Sequence, residues 1–157
     1  MNSNNNIKEL IDNIEKNFRD YYALLNSLSE RKRLLEEQSE VEELRDFFAQ
    51  LTTIEEEVIE YRLKKVINEE HPYLPSIRTE NFNSTVYREE AFLQIVEKFL
   101  KQRQELLKLL YSIPSNYWLR TGVHEQEGHI TFQEFIRRMI EKDKANINFI
   151  KSIILHG

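Results

Sequence analysis

Arg103 and Asp143 are charged residues that fall inside otherwise apolar helical stripes. On a helical wheel Phe132, Phe135, Ile136, Met139, Ile147, Ile150 and Ile154 form one stripe. Asp143 lies near its centre, with Asn146 close beside it and Lys142 at its edge. Arg103 lies in the same way among Phe99, Leu106 and Leu110. An unpaired inward charge is costly, so the two are expected to form a buried or half-buried ion pair. The alternative is that either side chain snorkels to the surface, which arginine does readily. Lys142 beside Asp143 could also act as an acid or base if its pKa were depressed, but no second catalytic group of matching clarity accompanies it.

A second group of residues precedes this stripe. Trp118, Arg120, Gly122, His124, Gly128 and Thr131 make a W-x-R-x-G-x-H-x3-G-x2-T pattern that leads into Phe132–His156. Trp118 reads as a core plug closing the end of a bundle, or as a ligand contact. Arg120 either holds its loop through carbonyl or carboxylate contacts, or faces a carboxylate-bearing small molecule. The four histidines are His71, His124, His129 and His156, and their spacing suits no pair of ligands on one helix. They read as exposed or capping residues, with a pocket-lining role as the alternative for His124. Cysteine is absent, which removes disulfides, thiolate nucleophiles and cysteine-based zinc sites. Glu55-Glu56-Glu57 reads as a solvated face. A di-iron site would need inward glutamates and Glu-x-x-His motifs, and the chain has no such motif.

These residues need elements to hold them, and the chain favours long helices. It has only three Gly and three Pro, with 40% hydrophobic and 31% charged residues. A length of 157 residues suits one domain, 1–157, with a proper core. The first helix is expected over Ile7–Leu28, from Leu10, Ile14, Phe18, Tyr21, Tyr22, Leu25 and Leu28. Ser29–Gln38 is loop or a short helix. Ser39 with Glu42 forms a capping box that opens a second helix over Glu40–Glu69, with an inward stripe of Leu44, Phe47, Leu51, Ile54, Val58 and Val66. The third spans Thr85–Ser112. Thr131 with Glu134 caps the fourth, and Ile130 can staple onto Phe135. No segment alternates with a period of two, so no strand is expected.

Four amphipathic helices of this length imply an all-α four-helix bundle. Glu70–Ser84 holds two of the prolines and can reach roughly 50 Å when extended. That permits a crossover between helices 2 and 3, and favours up-down-down-up topology over a meander. The net charge of −5 gives no reason to expect nucleic acid. No apolar run reaches membrane-spanning length, and Met1–Asn6 lacks the features of a signal peptide, so a cytoplasmic protein is expected.

The arrangement resembles the DinB-like superfamily, which includes the YfiT-type metalloenzymes. The resemblance is carried by Phe47–Leu51 followed by Glu55 and Arg62-Leu63, by Phe99 and Arg103 with Leu106-Leu107, by Trp118 through Thr131, and by Glu141-Lys142-Asp143 with Asn146. It implies an up-down-down-up four-helix bundle and, frequently, a homodimer. It also implies a divalent metal such as zinc or nickel on three histidines, in metal-dependent transferases that act on low-molecular-weight thiols. The positions that match those histidines read Gln50, Lys142 and Asn146. Amide carbonyls are weak ligands for these metals. Freeing a lysine amine at pH 7 costs about 4–5 kcal/mol before any metal bond forms.

The expectation is therefore a DinB-like protein without metal or other cofactor, acting as a binding or interaction protein. Its pocket would lie among Gln50, His124, Lys142, Asp143 and Asn146, with Arg120 at its mouth. The second reading is a metal-dependent transferase or hydrolase with an altered site. A third is a structural partner with no coherent pocket. Expected partners are a second copy of the chain and a small-molecule ligand, with no nucleic acid and no membrane.

Overall fold

The computed structural model describes residues 2–30, 39–76 and 92–156, with side chains described over 6–27, 43–76 and 92–153. Most of these residues are helical. Helix α1 spans Asn2–Glu30. Helix α2, Ser39–Glu56, runs directly into a π-helical stretch, Glu57–Leu63, and then α3, Lys64–Asn68. Helix α4 spans Phe92–Ser112 and α5 spans Phe132–His156. The side chains of the expected capping box at Ser39 and Glu42, most of the linker 29–38, the second half of the crossover, and the expected first turns of the third helix lie outside what is described.

The expected absence of strands does not hold. Tyr73–Leu74 (β1), Thr121–His124 (β2) and Gly128–Thr131 (β3) form a small sheet in the order β1-β2-β3. β1 is parallel to β2, and β2 is antiparallel to β3 with Gly122 opposite Ile130. Strands this short carry too few residues for a period of two to stand out. They exist because a distant segment supplies the pairing: Val123 N–H donates to the Pro72 carbonyl at 2.7 Å, and Glu125 N–H to that of Leu74 at 2.9 Å. A short 3-10 helix, Ser115–Leu119, precedes the hairpin and buries Trp118.

Helix α1 packs against α4 and α5, and α2 packs against the same two, so α4 and α5 stand across the core from each other. The apolar interior falls into two clusters. One holds Ile7–Ile14 of α1, Ile59, Leu63, Val66, Leu106, Leu110, Trp118 and the Phe132–Ile140 part of α5. The other holds Tyr21 and Leu25, Leu44 through Leu51, Ile95 through Phe99, and Ile147 with Ile150. Aromatic edges lock the second cluster, with Tyr21 and Phe48 set against Phe99 at centroid distances of 4.9 and 5.8 Å. Such pairs each add about 0.5–1.5 kcal/mol beyond simple burial.

Local chemistry sets the start of α5. Thr131 Oγ1 accepts the Glu134 N–H at 3.1 Å, and the Arg120 carbonyl accepts that of Phe132 at 2.8 Å. The Glu134 carboxylate is engaged by Arg137 and Arg138. Ile130 and Phe135 share the first cluster.

Gly122 is where β2 meets α3 most closely. A Cβ added there would stand 2.4 Å from Leu74 Cδ1 and 3.1 Å from Val66 Cγ2, both on fully buried residues. Gly122→Ala is therefore expected to destabilise the fold by about 1–3 kcal/mol, read from the urea midpoint. An unchanged midpoint would show that Leu74 can give way.

Candidate functional site

Each of the four long helices contributes a charged or amide side chain between its two runs of apolar contacts. In α1 it is Asn17, between Ile14 and Tyr21; in α2 it is Glu55, between Leu51 and Ile59. In α4 it is Arg103, between Phe99 and Leu106, and in α5 Asp143, between Ile140 and Ile147. The helical repeat brings these four to one level, where they separate the two apolar clusters.

Arg103 is the hub, with 1% of its side chain exposed. Its Nε and Nη2 donate to Glu55 Oε2 and Oε1 at 2.9 and 2.6 Å. Its Nη1 and Nη2 donate to Asp143 Oδ2 and Oδ1, both at 2.6 Å. One guanidinium thus makes two forked pairs, the strong form of this contact. Tyr21 donates its hydroxyl to Asp143 Oδ1 at 3.0 Å, and Asn17 Nδ2 approaches Oδ2 at 3.4 Å. The rings of Phe99 and Tyr21 lie 5.6 and 5.7 Å from the guanidinium carbon. Burial works against the charge of Arg103, but the Glu55 and Asp143 carboxylates outweigh it and hold its pKa well above the usual value. Burial, with Asp143 adding to it, pushes the Tyr21 phenol well up, so this hydroxyl stays a donor.

The Arg103–Asp143 pair is the one the helical phases call for. Glu55 is a correction. It belongs to the Glu55–Glu57 run expected to be solvated, yet it is 5% exposed. The inward stripe of α2 is Leu44, Phe48, Leu51, Thr52, Glu55, Ile59, Leu63 and Val66. Phe47, Ile54 and Val58 sit at its half-buried flank, so a stripe drawn through them is rotated away from the centre and hides Glu55. Spacing from Leu51 and Leu63 was the signal that could have found it.

Glu55, Arg103 and Asp143 also form the floor of a cavity of about 380 Å³. Its walls are one face of α2 with the π-helical stretch (Leu51, Ile54, Val58, Arg62) and one face of α5 (Phe135, Arg138, Met139, Lys142, Asn146). Both faces follow i, i+3, i+4, i+7 spacing. The hairpin contributes His124 and Gln126, and the crossover contributes Ser76. The π-helical turn, in which Lys64 N–H reaches back to the Ile59 carbonyl, runs beside the pocket.

His124, Lys142, Asp143 and Asn146 thus converge on the cavity, while two other expected residues do not. Gln50 is exposed and outside the lining, because α2 turns Leu51 and Ile54 toward the cavity instead. Arg120 points elsewhere: its Nε and Nη2 donate to the Val66 and Glu69 carbonyls at 2.9 and 2.8 Å, which caps α3. Trp118 is fully buried against Phe132 as a core plug. His71 and His129 lie apart from the cavity, both against the Thr121 hydroxyl. The side chain of His156 lies outside the described residues.

The donors present do not fit a zinc or nickel ion. His124 Nδ1 accepts the N–H groups of Gln126 and Glu127 at 3.1 and 3.3 Å, so the ring hydrogen sits on Nε2. Binding a metal through Nε2 would move that hydrogen onto Nδ1, against two backbone donors. The Asp143 and Glu55 oxygens are taken up by Arg103. Lys142 and Asn146 are poor ligands. Among the described residues no three His, Cys, Asp or Glu side chains are placed to hold a metal ion.

The network makes a direct prediction. Arg103→Met leaves two buried carboxylates without a counter-charge and should cost about 3–5 kcal/mol in chemical denaturation. Adding Glu55→Gln and Asp143→Asn to that variant should recover part of the loss. Full additivity of the three changes would show that the groups do not act together.

Comparison of the chain with protein-family models, with curated proteins and with solved structures returned no match.

Proposed function

We propose that this chain is a DinB-like four-helix bundle with up-down-down-up topology, whose pocket binds a small molecule without a divalent metal. Support for the topology comes from the order in which each helix meets the two apolar clusters. α1 and α5 run from the cluster around Trp118 to the cluster around Phe48, whereas α2 and α4 run the other way. The long connection before α4 is compatible with that order.

The observation that carries the functional reading is the donor set of the cavity. Lys142, Asn146, whose amide is already bonded to the Tyr21 hydroxyl, and a histidine with its hydrogen on Nε2 line the cavity, where three metal-binding nitrogens would be needed for the transferase reading. A cavity of about 380 Å³ lined by five apolar side chains and a larger set of polar and charged ones is of the size that small-molecule sites use. It counts against a purely structural role, which predicts no coherent pocket. Among the described residues no helix is long and apolar enough to cross a membrane. Under the same resemblance the chain is a homodimer, a state that sedimentation equilibrium measures directly.

Metal content tests the reading. Untagged protein exposed in turn to zinc, nickel and manganese and then dialysed should retain metal at background level by mass spectrometry. Near-stoichiometric retention would overturn the metal-free pocket and restore the metal-dependent transferase.

A further inference from the structure

We infer that the ligand of this pocket is a small amphipathic carboxylate, held by its anionic end beside Arg62, Lys142 and His124 with its apolar body along Ile54, Val58 and Met139. The inference rests on the metal-free pocket proposed above and adds the class of ligand.

The charges around the cavity are not equivalent. Arg138 is already committed, to Glu127 at 2.7 and 2.9 Å and to Glu134 at 3.2 Å. Arg103 is spent on the floor. Arg62 and Lys142 are different, because neither makes an ion pair among the described residues. Arg62 is half-buried, lies 5.9 Å from the Phe135 ring centre, and among the described residues donates to the neutral Pro75 carbonyl at 3.0 Å. A half-buried guanidinium with no carboxylate at ion-pair distance among the described residues, only the farther Glu57 and Glu127, has room for an anion. Burial lowers its pKa, the Glu57 carboxylate offsets this in part, Arg138 adds to the lowering and Glu127 opposes it, and an anion in the pocket would offset it further. Lys142 brings a mobile ammonium from α5, and His124 brings the Nε2–H edge from the hairpin.

The rest of the cavity selects among anions. Its floor carries two carboxylates against one guanidinium, so a strongly charged ligand cannot descend far. Phosphate sites ordinarily draw on clustered backbone N–H groups or a helix N-terminus. Here the anion would meet side chains alone. Ile54, Val58 and Met139 add aliphatic and thioether surface to the same lining. A monoanion with a short apolar chain satisfies both.

The test titrates octanoate, octanol and octyl phosphate into the full-length protein at pH 7, followed by calorimetry. Octanoate should bind about tenfold or more tightly than octanol, the difference that one desolvated charge-assisted contact supplies. Arg62→Gln and Lys142→Gln should each weaken octanoate by about three- to thirtyfold and leave octanol unchanged. Lys142 is exposed, so its variant keeps the test independent of any effect that losing the Arg62–Pro75 bond has on folding. Equal binding of octanol and octanoate, tighter binding of octyl phosphate, or octanoate affinity untouched in both variants would overturn the inference. Absent octanoate binding in protein with background metal would also overturn it, yet leave the metal-free pocket standing for another ligand class. Stoichiometric metal would overturn both.

Discussion

A guanidinium with only 1% of its side chain exposed can persist in a helical core only if its counter-charges arrive with it. Arg103 meets that condition through Glu55 and Asp143, and Asp143 is in turn held by Tyr21 and Asn17. The contacts come from all four long helices. Each helix must therefore present its network residues at one height and one rotation, and a slip of a single residue on α2, α4 or α5 would strand a buried charge. Hydrophobic burial alone is far more forgiving, because neighbouring apolar side chains can exchange places at modest cost. Networks of this kind contribute little net stability compared with an apolar replacement, yet they penalise wrong arrangements heavily. Its position, between two apolar clusters, also gives the core a polar mid-section that no single helix would have required.

The pocket follows from the same layer. Side chains of α2 and α5 wall a cavity beside it, and Ser76 of the crossover with His124 and Gln126 of the hairpin complete the lining. The hairpin is itself well specified. Arg120 ties the hairpin to the end of α3, and Gly122 lets β2 approach Leu74 without a side chain in the way. His124 then spends one nitrogen on the hairpin turn and leaves the other as a donor. Residues that look like candidates for chemistry thus divide into those that build the wall and those that face the cavity. Arg120 and Trp118 belong to the first kind, and Lys142 and Asn146 to the second.

Much of the site could be read along the chain, and its gaps have definite causes. Asp143 and Arg103 stood out because each interrupts a stripe at helical spacing, a signal that needs no knowledge of the partner. Glu55 was concealed by Glu56 and Glu57, which are exposed or half-exposed and make the run look solvated. The phase of α2 was harder still, because apolar residues cover more than half of its circumference. Phe47, Ile54 and Val58 pointed to a stripe centred slightly off the true one, whereas Gln50 was placed at the pocket by the family resemblance alone. The π-helical stretch after Glu56 adds a further shift in phase that no residue type announces.

Local periodicity and capping chemistry by themselves determined the helices, the start of α5 at Thr131, and the inward direction of Arg103 and Asp143. These depend on residues within a few positions of one another, so one segment carries all the information. Only the tertiary structure decided that Glu55 completes the ion network, that Arg120 caps α3, and that Pro72 and Leu74 supply the partner of β2. The paired residues there lie 48 to 54 positions apart, and elsewhere in the network up to 126. A contact over such distances exists only once every intervening element has packed. The cavity belongs to this second kind as well, because it is a space walled by α2 and α5, and no side chain encodes a space.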